Sequence, residues 1–156
     1  MQHEESDGDP VRRRLDTLVE RLRQDLDGVA GVEERDDGWF WDVAVRPERA
    51  GPLGFSWLVP GGSAGIVLGV DAGGVRWELG RSVEELDLMA AIVDALLAGD
   101  ATAVFASGRC EVTVALADGS KECRATAPLR LPAASRVVTL GATYEPYNPS
   151  ADAPGR

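Results

Sequence analysis

The sequence predicts an α+β fold in which two helices pack on one face of a curved antiparallel sheet of about seven to eight strands. Three observations support this prediction. Two segments have apolar residues at helical spacing, the other segments alternate apolar and polar residues, and glycine-rich turns separate them. The order along the chain is one helix, four or five strands, a second helix and three or four strands. Helices on one side of an antiparallel sheet bury the apolar faces of both.

The length of 156 residues suits one domain with a single core. We expect a disordered acidic segment over residues 1–8, one α+β domain over residues 9–144 and a flexible tail over residues 145–156, which contain three prolines. No apolar run approaches the ~18–20 residues that cross a bilayer, and the N-terminus lacks the apolar stretch of a secretory signal. We therefore expect a cytoplasmic protein.

The first helix is predicted to begin with Asp9 as its N-cap and Pro10 as its first residue, and to stop at Gly28. Apolar residues between them recur every three or four positions and form one stripe: Val11, Leu15, Leu18, Val19, Leu22 and Leu26. Interleaved arginines and acids make the opposite face a solvated one.

Short strands follow the first helix. They are expected at about residues 29–34, 39–46, 55–59, 65–70 and 75–79, with a turn at 35–38 and a loop at 47–54. The glycine-rich turns predict that Trp57 lies opposite Ile66 and that Leu68 lies opposite Trp77. Apolar residues then share one face, which is typical of a sheet that is covered on one side.

The second helix has the clearest local signals. Ser82 and Glu85 form a capping box, and Gly99 ends the helix. The acids Glu84, Glu85 and Asp87 lie in its first turn, where capping and the helix dipole account for them better than catalysis or metal binding does.

The remaining strands are expected at about residues 101–107, 109–117, 121–127 and 136–144. A two-residue turn at Asp118 and Gly119 places Cys123 opposite Val114. In this register Cys110 and Cys123 share a face but lie roughly 13 Å apart, beyond the reach of a disulfide. We expect two reduced, buried thiols.

The net charge of −10 restricts the classes of partner. Nucleic acids and anionic membranes attract basic surfaces, so both are excluded as partners. A basic protein partner is allowed, and the acidity would speed its encounter with this chain. The simpler interpretation, which the charge by itself favours, is that the acidity serves solubility alone.

The sequence offers little catalytic or metal chemistry. Its single histidine is His3, and it contains no CxxC, HExxH or Cys/His cluster. Residues 61–65 match the pattern G-x-S-x-G, but strands flank them and no histidine follows. We assign no catalytic residue, no metal site and no cofactor.

The leading hypothesis is therefore a non-catalytic, acidic protein-binding module that engages a basic protein. An immunity or accessory protein that neutralises a basic partner is one form of it. The candidate partner-binding residues lie near the turn at 35–38 and in the loop at 47–54. They are Glu33, Glu34, Asp36, Asp37, Glu48 and Arg49.

The alternative is a small-molecule-binding or enzymatic α+β domain with a tryptophan-lined pocket between sheet and helices. The candidate pocket residues are Trp39, Trp41, Trp57 and Trp77. The simpler interpretation, which the strand alternation favours, is that these side chains form a plain core. A homo-oligomeric subunit also stays open.

Overall fold

The computed structural model of the protein describes residues 9–61, 65–106, 108–126 and 139–148. They form an α+β fold with two helices and two antiparallel sheets. The helices are α1 (Pro10–Asp25) and α2 (Val83–Ala98). The strands are β1 (Ala30–Asp36), β2 (Phe40–Pro47), β3 (Phe55–Pro60), β4 (Ile66–Val70), β5 (Arg76–Leu79), β6 (Ala101–Ala106), β7 (Arg109–Ala115), β8 (Lys121–Ala125) and β9 (Thr139–Thr143).

The strands form two sheets, whereas the predicted architecture has one curved sheet and the sequence leaves the number of sheets open. The first sheet has five strands in the order β1-β2-β3-β4-β5, and the second has four in the order β8-β7-β6-β9. The edge strands β5 and β8 approach each other, but a groove lined by Arg76, Glu78 and Arg124 separates them. Charged side chains line this gap, and no hydrogen-bonded ladder joins the two described sheets across it.

The buried apolar side chains form one cluster between the sheets and the helices. The prediction that Leu68 lies opposite Trp77 is confirmed, whereas Trp57 lies opposite Leu68 and not opposite Ile66. The last paired residues of β3 and β4 are Leu58 and Val67, so the connection between the paired segments is longer than predicted. The shift of two residues leaves the apolar face unchanged.

Local capping explains where the helices begin. The Asp9 carboxylate accepts the backbone N–H of Val11 at 3.0 Å, and the Ser82 hydroxyl accepts that of Glu85 at 3.2 Å. Gly99 ends α2 with φ 77°, a left-handed conformation that glycine adopts without steric cost. Each of these three residues was predicted in this role.

The β7–β8 hairpin corrects the predicted register and the prediction for the thiols. Its loop contains Gly119 at φ 89°, and Cys123 lies opposite Thr113 and not opposite Val114. A slip of one residue turns every side chain of β8 to the other face. Cys110 is buried, Cys123 is exposed, and both are free thiols.

Residues 145–148 are packed against the domain, whereas the sequence predicts a flexible tail over residues 145–156. The Tyr147 side chain is 1% exposed, its N–H donates to Leu97 at 2.9 Å, and its hydroxyl donates to the Leu53 carbonyl at 2.7 Å. The Glu145 N–H also donates to the carbonyl of Gly51 at 3.1 Å. The ordered chain therefore extends at least to residue 148, and residues 149–156 lie outside the described part.

Candidate functional site

A groove of about 500 Å³ lies at one end of the first sheet, and we call it the hairpin groove. It is bounded by the start of α1, the turn between β1 and β2, the end of β3 and the segment before α2. Its lining includes three consecutive aromatic residues, Trp39, Phe40 and Trp41. Its charged lining residues are Asp9, Arg12, Asp36 and Arg81. The groove thus combines aromatic surface with both signs of charge.

Trp39 projects from a turn whose backbone is firmly held. The Asp37 carboxylate accepts the N–H groups of Trp39 at 2.9 Å and Phe40 at 3.0 Å, and these bonds lower the pKa of Asp37. The Trp39 carbonyl accepts the N–H of Gly61 at 2.7 Å. The Trp39 side chain is nevertheless 82% exposed. The sequence predicts a strand that begins at Trp39, but β2 begins one residue later, at Phe40.

The wall of the groove beside α1 is built around Arg12. Its guanidinium lies 3.8 Å from the ring centroid of Trp41, a cation–π contact. It also pairs with Asp36 at 3.1 Å and with Glu34 at 3.7 Å. The buried Trp41 donates its indole N–H to Glu34 at 2.7 Å. The charges of this wall are therefore largely neutralised within the chain.

The candidate acids of β1 lie on two different faces. Glu34 and Asp36 share the helix-facing side with Val32, and Glu34 also pairs with Arg23 of α1 at 3.1 Å. Glu33 lies on the opposite face and pairs with Arg46 at 3.5 Å, both side chains being 69% exposed. Successive side chains of a strand point to opposite faces of the sheet. One flat surface of a binding partner could therefore not contact all the candidate acids of β1.

The loop after β2 holds the other two candidates. Glu48 is exposed, and its N–H donates to the Val29 carbonyl at 3.0 Å, at the opposite end of the hairpin from Trp39. Arg49 pairs with Glu145 at 2.6 Å and donates to the Pro146 carbonyl at 2.6 Å. The Arg49 side chain is thus already bound by the segment that follows β9.

The four tryptophans do not line one pocket. Trp39 and Trp41 border the hairpin groove, whereas Trp57 and Trp77 are 1% and 0% exposed in the core. The indole N–H groups of these two residues have no hydrogen-bond partner among the described residues. Trp57 and Trp77 both lie opposite Leu68, on either side of β4, and point toward the core.

Sequence reasoning missed Arg12 and Arg81 as parts of the site. Arg12 was placed on a solvated helix face, and Arg81 precedes the Ser82 cap without any distinguishing pattern. Arg81 lies 3.5 Å from Asp9 and donates to the Pro60 carbonyl at 3.4 Å. The proximity of α1 to the hairpin tip depends on tertiary packing, for which these residues carry no local signal.

The described lining of the groove contains no serine, cysteine or histidine. In the described part of the chain, no cluster of three or more His, Cys, Asp or Glu side chains could hold a metal ion. The helices described here are too short or too polar to cross a membrane. Comparisons with protein-family models, with curated proteins and with solved structures found no match.

Proposed function

We propose that the chain is a non-catalytic, acidic protein-binding module that engages a basic protein through the tip of the β1–β2 hairpin and the hairpin groove. The observation that supports this most is Trp39, whose indole is 82% exposed on a turn held by Asp37. Tryptophan is enriched among the residues that dominate binding energy at interfaces. A rigid turn lowers the entropy lost when such a side chain is immobilised.

The charge of the chain favours a basic partner over a neutral one. The net charge is −10, and exposed acids lie along the hairpin: Asp37 at the tip, Glu33 midway on β1 and Glu48 at the far end. Such acids speed the encounter with a cationic surface and contribute less to the final contact energy. A toxin-neutralising immunity protein is one concrete form of this function.

The first test captures a partner from the host lysate at low and high salt, with the full chain as bait. We expect one stoichiometric, basic protein that is lost at high salt. Trp39→Ala should then weaken binding of the purified partner about thirtyfold, as loss of a hot-spot side chain does. Val104→Ala removes an apolar side chain that is 42% exposed on β6, and it should leave the affinity unchanged. Equal affinities of the two variants would refute the assignment of the surface.

The second test changes charge without disturbing internal ion pairs of the groove. Glu34 and Asp36 are unsuitable because they hold Arg12. The double variant Glu33→Lys/Glu48→Lys should lower the association rate about tenfold at low salt. The double variant Glu20→Lys/Glu78→Lys changes the net charge equally at other exposed sites and should have a smaller effect. Equal effects would indicate a dependence on net charge alone.

A second candidate function is small-molecule binding in the hairpin groove. Its volume of about 500 Å³ lies within the ~300–1,000 Å³ typical of ligand sites, and Trp39, Phe40 and Trp41 supply stacking surface. A small-molecule screen followed by tryptophan fluorescence tests this function. A ligand in the groove should shift the wild-type emission, and the shift should be smaller in Trp39→Phe, in which Trp41 is the one remaining tryptophan of the described lining. A shift of undiminished size in this variant would exclude Trp39 as the reporter.

A further inference from the structure

The four edge strands of the two sheets differ in charge. Three of them carry acidic or basic side chains: β1 reads AGVEERD, β5 reads RWEL and β8 reads KECRA. The fourth, β9, reads TLGAT and has neither a charge nor a proline. Charges and prolines on edge strands prevent sheets from joining edge to edge. Among the edge strands described here, β9 alone lacks this protection.

Strand β9 also exposes apolar surface. Within the described part of the chain β9 pairs only with β6, with Leu140 opposite Phe105 and Ala142 opposite Ala103. Ala103 is buried, so Leu140 and Ala142 lie on the core-facing side of the sheet. Leu140 is nevertheless 62% exposed. An added strand would pack beside Leu140 and hydrogen-bond the outward backbone groups of β9, which have no strand partner among the described residues.

The sequence of β9 suits a second copy of itself. Read from Gly141 outward, the strand has small or apolar residues on both sides and then a threonine at each end. Antiparallel pairing about a two-fold axis at Gly141 places Leu140 of one copy opposite Ala142 of the other and Thr139 opposite Thr143. No like charges meet between the two β9 strands in this register, and apolar cross-strand pairs are favourable.

We propose that the protein forms a two-fold dimer in which the β9 strands of two copies pair antiparallel about Gly141. The two four-stranded sheets then join into one continuous sheet across the dimer. This contact is isologous, as in most homodimers, and it closes after two copies. Because five-residue strands bury little area, the dimer should be weak and concentration-dependent. The inference is independent of the proposed function, which concerns the hairpin of the other sheet.

Sedimentation velocity of the full chain, at concentrations up to about 1 mM, tests the proposal directly. Gly141→Lys places two like charges opposite each other on the axis and should raise the dimer dissociation constant about tenfold or more. A side chain fits at this position, since nothing lies within 4 Å of a Cβ built on Gly141. Gly31→Lys is the matched control, because Gly31 lies in the edge strand β1 and is equally open. It should keep the dimer of the wild type.

A cross-linking experiment tests the register. Opposite residues of antiparallel strands have Cα atoms about 4.5–5.5 Å apart, which suits a disulfide. Gly141→Cys in a Cys123→Ser background should form a covalent dimer on mild oxidation, whereas Gly31→Cys in that background should not. Cys123 is removed because it is exposed. A monomeric wild type, a dimer unaffected by Gly141→Lys, or no selective cross-link in the Gly141→Cys variant would each overturn the proposal.

Discussion

At the scale of single residues, Tyr147 connects the end of the described chain to the core. Its ring meets that of Phe55 edge to face, with centroids 6.2 Å apart, and its hydroxyl donates to the buried Leu53 at 2.7 Å. Burial, and secondarily the negative charge of Asp71, raise the pKa of Tyr147 above its ordinary value. The phenol is therefore held in its neutral form, in which it donates this hydrogen bond.

The shifted pKa of Tyr147 makes stability depend on pH in the alkaline range. The unfolded chain releases the tyrosine proton near pH 10, whereas the folded chain retains it to higher pH. The free energy of unfolding should therefore fall above pH 10, by up to about 1.4 kcal/mol per pH unit from this group. Tyr147→Phe should cost about 1–2 kcal/mol at pH 7 and remove this part of the alkaline loss. Urea unfolding at a series of pH values measures both effects.

Tyr144→Phe is the control for this experiment. Burial also raises the pKa of Tyr144, but its hydroxyl has no hydrogen-bond partner among the described residues. The control should lose less stability at pH 7 than Tyr147→Phe does. If the stability of Tyr147→Phe fell with pH as steeply as that of the wild type, Tyr147 would not be the titrating group.

Sequence patterns identify single core residues well where apolar and polar residues alternate regularly around them. Trp57 and Trp77 belong to alternating strands, and both are in the core, as the simpler of the two interpretations stated. Tyr147 lies among prolines with no repeating neighbours, and its partner Leu53 is 94 positions away. The predicted strand begins one residue too early, at Trp39. This error is enough to place the Trp39 indole in the core, whereas it lies in solvent.

At the scale of elements, structures fixed by adjacent residues are predictable. The helix starts at Asp9 and Ser82 depend on side chains two or three positions from the N–H groups that they cap. The β7–β8 register depends on the length of the loop at Gly119, and the Asp-Gly pattern allows more than one length. The local signal therefore locates this turn but does not set its register.

The end of α2 gives a prediction at this scale. Gly99 and Gly119 both have positive φ, but a Cβ on Gly99 would lie 2.6 Å from the backbone nitrogen of Pro146, whereas nothing surrounds one on Gly119. Gly119→Ala should cost about 1–2 kcal/mol from backbone strain alone. Gly99→Ala should cost at least ~1 kcal/mol more, since backbone atoms cannot move aside easily. Thermal or urea unfolding compares the two, and equal losses would contradict the close approach of Pro146.

At the scale of the molecule, the number of sheets and the composition of the hairpin groove could not be predicted. Alternation shows which side of each strand is buried but not where a ladder is interrupted, as it is between β5 and β8. The groove requires α1 to lie beside the hairpin, so that Arg12 reaches Trp41 across a long stretch of sequence. The pairing of the two helices could not be predicted either. The exposed salt bridges Arg14–Asp87 and Arg21–Asp94 join α1 to α2 over long separations in sequence.

The extent of the folded unit gives the last prediction. A chain of residues 1–144 lacks Tyr147, the Tyr147–Leu97 backbone bond and the Glu145–Gly51 backbone bond. It should lose at least about 3–5 kcal/mol, the cost of removing a large buried aromatic side chain. A chain of residues 1–148 keeps these contacts, and the prediction of a flexible end for residues 149–156 requires it to be as stable as the full chain. Urea unfolding of the full chain and of the two truncated chains tests the role of Tyr147 and the flexible end separately. Full stability of residues 1–144 would contradict the role of Tyr147, and instability of residues 1–148 would contradict only the flexible end.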